Sequence, residues 1–259
     1  MRSESNTPSK LSVVIITLNE ESKIGACIDS VRPIADEILV VDSYSTDQTK
    51  KICEERGVRF SERAFEGYGA QKNYAATIAQ HDLIFSIDAD ERPDSALVEA
   101  IIRVKANLQH DVYSMNRLNC YCGKWIRHGA WYPDVKMRLY NRQKGDWSLS
   151  NVHETFLPAN VAAVGHLPGN LLHYSYDQIE QHRRQIEKYS TLGAKEAQRL
   201  GKKAGFAKRF VNPAWRFFRD YVLRMGFLDG YYGWVIAKLT AREVYLKYRK
   251  LGELNKKLA

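Results

Sequence analysis

The chain has 259 residues, of which 44% are apolar and 27% charged, and its formal net charge is +9. This composition excludes an intrinsically disordered protein, and the length suffices to bury a core without disulfides or structural metals. No apolar run approaches the ~20 residues of a membrane-spanning helix. The N-terminal segment lacks the apolar region of a secretory signal, so we expect none, and four scattered cysteines favour a reducing, cytoplasmic location.

Strand and helix patterns alternate through the first hundred or so residues. Apolar runs rich in β-branched residues predict strands at 11–17, 37–41, 58–61 and 82–87. Apolar residues at helical spacing predict helices near 19–31, 47–56, 70–79 and 94–107. Such alternation with short connections predicts an α/β fold built on a doubly wound, mostly parallel sheet.

Polar side chains follow the predicted strands at the points where those strands end. Thr17 and Asn19 follow the first strand, Asp42 ends the second, and Asp88 and Asp90 follow the fourth. Ligands of doubly wound sheets bind beyond the carboxyl ends of the strands, so these positions predict a ligand site. Two neighbouring carboxylates repel each other unless a cation separates them, and oxygen ligands suit Mg²⁺ or Mn²⁺. The dinucleotide fingerprint and the P-loop are both absent from the sequence, so any nucleotide is bound by another device.

The middle of the chain carries weaker patterns. Alternating residues predict half-buried strands at 112–119 and 135–140, and the segment 123–134 between them is predicted to be a loop rich in Trp, Arg and His. Aromatic faces suit sugar rings and Arg suits phosphate, which makes Trp131 and Arg127 candidate acceptor-binding residues. A packing role for each of these residues is an equal alternative.

The excess positive charge lies in the last quarter of the chain. From Lys195 to Ala259 there are 16 Lys and Arg against 5 Asp and Glu, whereas the preceding 194 residues carry 23 and 25. After a charged surface helix at 177–200, two amphipathic helices are predicted, one from Pro213 to Gly226 and one at 229–251. Mixed aromatic and basic residues suit an anionic membrane surface. Alternatively, the apolar faces dock on the catalytic domain and the basic faces are solvated.

Three parts of the first half carry a family resemblance. They read LSVVIITLNEE followed by ADEILVVDSYSTDQT, then GYGAQKNYA, then DLIFSIDADE. Together they resemble the nucleotide-binding half of the family 2 glycosyltransferases, which have the GT-A (nucleotide-diphospho-sugar transferase) fold. The likeness is specific over residues 11–105 and looser as far as 176. The later segments WYPD, MRLY, VHE and HYS are similar to those of a bacterial branch that includes lipopolysaccharide core β-glucosyltransferases.

This resemblance implies a site for a nucleotide-sugar donor. Asp42 matches the family's uracil-binding aspartate, although a turn or helix-capping Asp is the alternative. Lys72 matches a basic position near the diphosphate, with a solvated helix residue as the alternative. The full set of implied or candidate donor-binding residues is Thr17, Asn19, Glu20, Asp42, Lys72, Asp88 and Arg138.

The resemblance also implies a metal site and a catalytic base. Asp88 and Asp90 match the family's D-x-D motif, with Asp90 the more direct ligand of Mn²⁺ or Mg²⁺ and Asp88 in contact with ribose or metal. Glu91, which follows them, is expected to support these residues or to lie at the start of a helix. His173 resembles a late histidine that completes the metal site, and a core histidine is the alternative. Glu154 occupies the position of the V-H-E motif and is the first candidate for the base that inverting transfer requires. His153 is the second candidate, and the alternative for Glu154 is a structural ion pair with an arginine.

The predicted organisation has three parts: a flexible N-terminus at 1–10, a GT-A catalytic domain at 11–176 and a basic helical extension at 177–259 that associates with membranes. The catalytic domain divides into a nucleotide-binding half at 11–105 and an acceptor half at 106–176.

The predicted activity is that of a metal-dependent inverting glycosyltransferase, peripheral on the inner face of the inner membrane. It transfers a sugar, glucose foremost, from a UDP-sugar to a lipopolysaccharide core or similar glycolipid saccharide. One alternative is a polyprenyl-phosphate glycosyltransferase of the same fold. Another is a non-catalytic protein that binds lipid or nucleic acid through the basic tail, but the tail carries no recognised nucleic-acid motif and we expect no nucleic-acid partner.

Overall fold

The computed structural model describes residues 8–149, 154–159 and 164–256. The strands in these residues are β1 Leu11–Thr17, β2 Glu37–Asp42, β3 Arg59–Glu62, β4 Leu83–Asp88, β5 Glu91–Pro93, β6 Val112–Tyr121, β7 Lys124–Ile126, β8 Asp134–Asn141, β9 Gly145–Trp147, β10 Phe156–Pro158 and β11 Val164–Tyr176. The α-helices are α1 Ile24–Val31, α2 Thr49–Glu55, α3 Tyr68–Ile78, α4 Ser95–Ala106, α5 Ile179–Arg199, α6 Asn212–Phe218 and α7 Gly230–Lys256.

The strands form a central mixed sheet in the order β3-β2-β1-β4-β8-β6-β11-β5, with β7 paired to β6. Strands β3, β2, β1 and β4 run parallel, whereas β8 is antiparallel to β4 and β5 is antiparallel to β11. A separate pair joins β9 and β10. The predicted α/β class with its parallel nucleotide-binding half is therefore confirmed.

The parallel part of the sheet is covered on both faces. In β1, Leu11, Val13 and Ile15 belong to one apolar cluster, which includes residues of α1 and α4. Val14 and Ile16 belong to a second cluster, which includes Ala75 and Ala76 of α3. Because successive side chains of a strand point to opposite faces, a strand covered on both sides is apolar at most of its positions, as β1 is from Val13 to Ile16. This explains the uninterrupted apolar run at the start of the sequence.

The chain divides into two compact units. The first comprises the described residues of Met1–Arg117 and Val135–His173, and the second those of Leu118–Asp134 and Tyr174–Ala259. In the second unit α7 packs against α5 and α6. Its core includes Tyr121, whose hydroxyl is 3.0 Å from Nδ1 of the buried His182. Burial lowers the pKa of His182 to about 4, so this imidazole is neutral at physiological pH.

Three predicted boundaries differ from the structure. The short strand β5 directly follows the Asp88-Ala89-Asp90 segment, and β7 lies inside the predicted loop 123–134. Pro213 lies in the first turn of α6, as predicted, but α6 ends at Phe218 rather than near Gly226, and π-helical turns at Ala207–Val211 and Arg219–Leu223 flank it. Proline fits here because the first positions of a regular α-helix need no N–H donor. Within the described part of the chain, no helix combines the length and the apolarity that crossing a bilayer requires.

Candidate functional site

The carboxyl ends of three parallel strands bring the first group of candidate residues into one row. Thr17 of β1 is the register partner of Asp42 in β2, and Ile16 of β1 is the partner of Asp88 in β4. The order β2-β1-β4 therefore places Asp42, Thr17 and Asp88 along one edge of the sheet. This is the edge at which ligands of open α/β sheets bind.

The loops after β1 and β2 are tied together by side chains. Asn19 adopts a left-handed backbone with φ of 53°, and its Oδ1 accepts a hydrogen bond from the Thr46 amide at 2.8 Å. The Glu20 amide donates to Thr49 Oγ1 at 2.9 Å. Through these hydrogen bonds, Asn19 and Glu20 fix the shape of the loops at this edge of the sheet.

Asp42 serves as a turn residue. Its carboxylate is buried and accepts hydrogen bonds from the amide and the hydroxyl of Ser45, at 2.7 and 2.5 Å. These two bonds match the turn alternative raised from the sequence. A carboxylate has about four lone-pair positions, so two bonds leave Asp42 able to accept another donor.

Two buried polar atoms beside Asp42 have no protein partner. The hydroxyl of Thr17 and Oε1 of Gln71 find no hydrogen bond among the described residues, although both residues are buried. Ser43 links them, since its amide donates to the Thr17 carbonyl at 3.0 Å and its hydroxyl accepts from Gln71 Nε2 at 2.9 Å. Unused buried polar atoms are uncommon in native proteins and suit a place where a ligand supplies the missing bonds.

Lys72 of α3 contacts two other candidate residues, Asp88 and Glu154. Its side chain is 0% exposed, which excludes the solvated-helix alternative. Its ammonium lies 3.1 Å from Oδ1 of Asp88 and 3.0 Å from Oε1 of Glu154. It also lies 4.6 Å from the centre of the Trp147 ring, within the range of a cation–π contact. The partner of Glu154 is thus a lysine rather than the arginine considered from the sequence.

A second buried cation completes this cluster. Nη2 of Arg138, from β8, donates to Asp88 Oδ2 at 3.1 Å and to Glu91 Oε1 at 2.9 Å. Glu91 is fully buried, accepts a further bond from Arg117 at 3.2 Å and also accepts the Asp88 amide at 3.1 Å. Asp88 is therefore held from its amide and from both carboxylate oxygens.

The two cations decide the ionisation of Asp88. Burial favours its neutral form, but the charges of Lys72 and Arg138 outweigh burial and hold the pKa of this carboxyl well below its usual value. Burial likewise opposes the charge on Arg138, and the carboxylates of Glu91 and Asp88 raise its pKa above the usual value. Asp88 and Arg138 therefore stay charged across the physiological range.

Asp90 and His173 form a separate pair. Oδ2 of Asp90 lies 3.2 Å from Nε2 of His173, and the two side chains are 21% and 17% exposed. Strand pairing explains their proximity, because β11 places His173 opposite Glu91 of β5, next to Asp90 in the chain. One carboxylate oxygen and one imidazole nitrogen thus face each other at the solvent boundary.

The oxygen and nitrogen atoms of Asp90 and His173 are of the types that a divalent cation can bind. In the described ranges, no three His, Cys, Asp or Glu side chains form a group that could hold a metal by themselves. Asp88 is engaged by Lys72 and Arg138, so it does not complete such a group. Mg²⁺ and similar hard cations commonly take one or two protein ligands and fill the remaining positions with substrate phosphates and water. Asp90 with His173 fits a site of that kind.

Close packing holds α3 in place beside Trp147. Asn73 exchanges two hydrogen bonds with the Trp147 backbone, at 2.8 and 3.0 Å. A Cβ added to Gly69 would lie 2.0 Å from the Ser148 carbonyl oxygen, so only glycine allows this approach. The contacts align Lys72 with the segment that carries Glu154.

The remaining candidates lie elsewhere or cannot be placed. Trp131 and Arg127 belong to the second unit. The Trp131 ring packs against Tyr121 and His182, and the Arg127 amide donates to Asp229. His153 lies outside the described residues.

Sequence reasoning overlooked several residues of the cluster, namely Arg117, Gln71, Asn73 and Trp147, and it gave Glu91 only a supporting place. Glu91 is the one with a usable signal, because a third carboxylate directly after two others calls for cationic partners.

Known proteins that are similar to this chain are glycosyltransferases. The glycosyl transferase family 2 model matches residues 12–164. The lipopolysaccharide core biosynthesis glycosyltransferase LpsC of Rhizobium meliloti is 34% identical over 256 residues, covering 92% of this chain and 93% of that protein. An uncharacterised glycosyltransferase of Rickettsia typhi is 32% identical over 258 residues, covering 96% of this chain and 88% of that protein.

One solved structure is also similar. It is glucosyl-3-phosphoglycerate synthase from Mycobacterium tuberculosis in complex with Mn²⁺, UDP and glucosyl-3-phosphoglycerate. The superposition has a TM-score of 0.49 at 17% identity, covering 75% of this chain and 81% of that one. The family match spans more than half of the chain and the relatives align over nearly all of it, so the chain belongs to glycosyl transferase family 2 and is a glycosyltransferase of the GT-A fold.

Proposed function

We propose that this glycosyltransferase is an inverting enzyme that moves a sugar, glucose foremost, from a UDP-sugar to a saccharide of the lipopolysaccharide core or a similar glycolipid. The similarity to LpsC, which is named for lipopolysaccharide core biosynthesis, supports the acceptor class. We place the enzyme on the cytoplasmic face of the inner membrane as part of the same proposal. The observation that carries the proposal is the buried Lys72, which holds Asp88 and Glu154 together at the carboxyl edge of the parallel strands. Such a cluster suits a reaction in which negative charge develops on a leaving diphosphate.

The donor nucleotide is assigned to the row of strand ends. Asp42 retains acceptor capacity for the imide N–H of uracil, and the unused hydroxyl of Thr17 and Oε1 of Gln71 can bond the nucleoside. Asn19 and Glu20 shape the loop beside them. The diphosphate then approaches the cations Lys72 and Arg138.

Asp90 and His173 are the residues that would hold Mn²⁺ or Mg²⁺. When bound, such an ion supplies positive charge that stabilises the diphosphate as it departs. Asp88 acts differently, because its two cationic partners keep it charged and fixed beside the donor. The two aspartates of the D-x-D segment thus have different roles: Asp88 is positioned by cations, and Asp90 would bind the metal.

Glu154 is assigned the role of general base. It accepts the proton of the acceptor hydroxyl while that oxygen forms a bond to the anomeric carbon of the sugar. The bond from the same carbon to the diphosphate oxygen breaks on the opposite side, and its electron pair leaves with UDP. One displacement of this kind inverts the configuration at the anomeric carbon. Lys72 fixes the Glu154 carboxylate, at 3.0 Å, in the position from which it acts.

Glu154→Gln tests this assignment. We expect UDP release from UDP-glucose with purified core saccharide to fall by roughly 10²–10⁴-fold, the usual contribution of a general base. UDP binding should stay at the wild-type level. Glu55→Gln, an exposed change on α2, is the matched control and should behave as wild type. A Glu154→Gln enzyme with full transfer activity would reject the role of this residue.

The acceptor is tested by offering core saccharide and polyprenyl phosphate side by side. We expect sugar on the saccharide, and nuclear magnetic resonance of the product should show inversion at the anomeric carbon. Transfer to polyprenyl phosphate alone would overturn the proposed acceptor and favour the second enzyme class considered from the sequence.

A further inference from the structure

The second unit carries a surface of exposed apolar side chains that its own core does not use. Within 206–234, twelve large apolar side chains are exposed, whereas all other described residues together expose eleven. The surface, here termed the apolar surface, consists of Phe206, Phe210, Val211, Trp215, Phe218, Val222, Leu223, Met225, Phe227, Leu228, Tyr231 and Trp234. Soluble monomers rarely expose so many large apolar groups in so short a segment, so the surface calls for a partner.

The helical segment 207–223 organises part of this surface. Val211, Trp215, Phe218 and Val222 recur at spacings of three and four residues, which places them on one helical face. The opposite side is engaged, because α6 packs against α7. The Phe206 and Phe210 rings lie 4.9 Å apart, so the exposed aromatics continue at the start of the segment.

The companion helix α7 is different. Its apolar residues Val235, Ile236, Leu239, Leu246 and Leu251 are buried. Much of the apolar face of α7 is therefore used for packing within the second unit. The same packing leaves the exposed residues of 206–234 uncovered.

The charges around the apolar surface are of one sign. The two carboxylates in 202–234, Asp220 and Asp229, are 2% and 4% exposed. Asp220 is neutralised by Arg216 and Arg219, at 2.6 and 2.8 Å. The exposed charged residues of this stretch are the cations Lys202, Lys203, Lys208 and Arg224. A partner must therefore be apolar where it meets the rings and anionic where it meets the lysines.

We propose that the apolar surface docks on an anionic phospholipid bilayer, lying in the interface without crossing it. The aromatic and aliphatic side chains enter the boundary between headgroups and acyl chains, and the exposed cations contact lipid phosphates. The inference deepens the proposed function and rests on it for the biological acceptor, a saccharide anchored in lipid. The docking itself rests only on the exposure and the charge described above.

Vesicle co-sedimentation tests the inference on the full-length protein. The probes are vesicles of phosphatidylcholine alone and vesicles containing phosphatidylglycerol, without donor or acceptor. Trp215→Ser combined with Phe218→Ser removes two exposed apolar groups, and Ile102→Ser with Leu108→Ser, exposed on or beside α4, is the matched control. Lys202→Gln with Lys203→Gln removes two exposed cations, and Lys10→Gln with Lys51→Gln is its control. Thermal unfolding of each variant verifies that it is folded.

We expect tight binding to anionic vesicles, weaker binding to neutral ones, and a loss of about tenfold or more for the Trp215/Phe218 variant. The lysine variant should bind several-fold less, and both controls should bind as wild type. Equal binding by the Trp215/Phe218 variant and wild type would overturn the inference. The inference would also be overturned if the wild type did not bind vesicles but associated with itself, and the Trp215/Phe218 variant abolished that self-association. The partner would then be a second copy of the chain.

Lipid binding and sugar transfer fail independently in this design. A protein that binds vesicles but transfers no sugar refutes the proposed function and leaves the docking surface in place. A protein that transfers sugar to soluble core saccharide but ignores anionic vesicles refutes the docking surface alone.

Discussion

The side chain of Lys72 has no contact with solvent, so protein groups must replace the hydrogen bonds that its ammonium group would make to water. Removing a charge from water costs several kcal/mol, and here two carboxylates at 3.0 and 3.1 Å and the face of Trp147 offset that cost. The network links residues from four places in the sequence. These contacts keep Asp88 ionised and hold the Glu154 side chain in place beside Lys72.

The acid stability of the protein should report on Asp88. Burial raises the pKa of Asp88, but the charges of Lys72 and Arg138 lower it by more than burial raises it. The pKa in the folded protein therefore lies below the unfolded value of ~3.9. A depressed folded pKa gives stability that is present above the unfolded value and is lost as the pH falls through the folded one. We expect the loss of unfolding free energy caused by Asp88→Asn to be largest near neutral pH and to shrink below about pH 4.

Urea unfolding of the wild type and Asp88→Asn at several pH values measures this gap. Asp29→Asn on the exposed face of α1 is the control and should give a small gap at every pH. A constant gap for Asp88→Asn across the acid range would show that its ion pairs do not set its pKa.

At the scale of elements, helix α3 positions Lys72 in the site. The first turns of α3 lie in direct contact with the backbone of the chain that follows β9. Gly69 is the point of closest approach, since an added Cβ would lie 2.0 Å from the Ser148 carbonyl oxygen. Asn73 secures the same contact with two hydrogen bonds to Trp147. A small displacement here would move Lys72 relative to Glu154.

Gly69→Ala should therefore destabilise the protein by about 1–3 kcal/mol, the usual range for overpacking. Transfer activity should fall further than the folded fraction alone explains, because Lys72 shifts with α3. Gly205→Ala is the control, since a Cβ there would meet no atom within 4 Å. The measurement is unfolding by urea together with initial transfer rates. Equal stability of the two variants would mean that the Ser148 backbone yields without cost.

The sequence predicted the regular elements well and the irregular ones poorly. Strands β1, β2 and β4 are largely apolar on both faces, so a continuous apolar run identified them. The three-residue strands β5 and β7 are too short to show any period, and their pairing partners decide their conformation. The sequence did not predict the π-helical turns that flank α6, because such turns have no distinctive residue pattern.

At the scale of the whole molecule, some residues of the site are brought together by the order of the strands, and others by contacts between distant parts of the sequence. Strand order alone places Asp42, Thr17 and Asp88 on one edge, so the sequence could predict them together. The pairing of Lys72 with Glu154 joins positions 82 residues apart and depends on the packing of α3. No local pattern contains that information, and neither the burial of Lys72 nor the role of Arg117 could be derived without the structure.

Calorimetric titration of UDP with and without Mn²⁺, on the wild type, Asp90→Ala and the control Glu55→Ala, tests the central claim most directly. The claim is that the carboxyl edge of the parallel strands binds a uridine diphosphate with a divalent cation at Asp90 and His173. Mn²⁺ should strengthen UDP binding at least about tenfold in the wild type and the control, because a coordinated cation neutralises phosphate charge. Asp90→Ala should lose that enhancement while still binding UDP weakly without metal. No heat on adding UDP and Mn²⁺ to the wild type, or full enhancement in Asp90→Ala, would contradict the account.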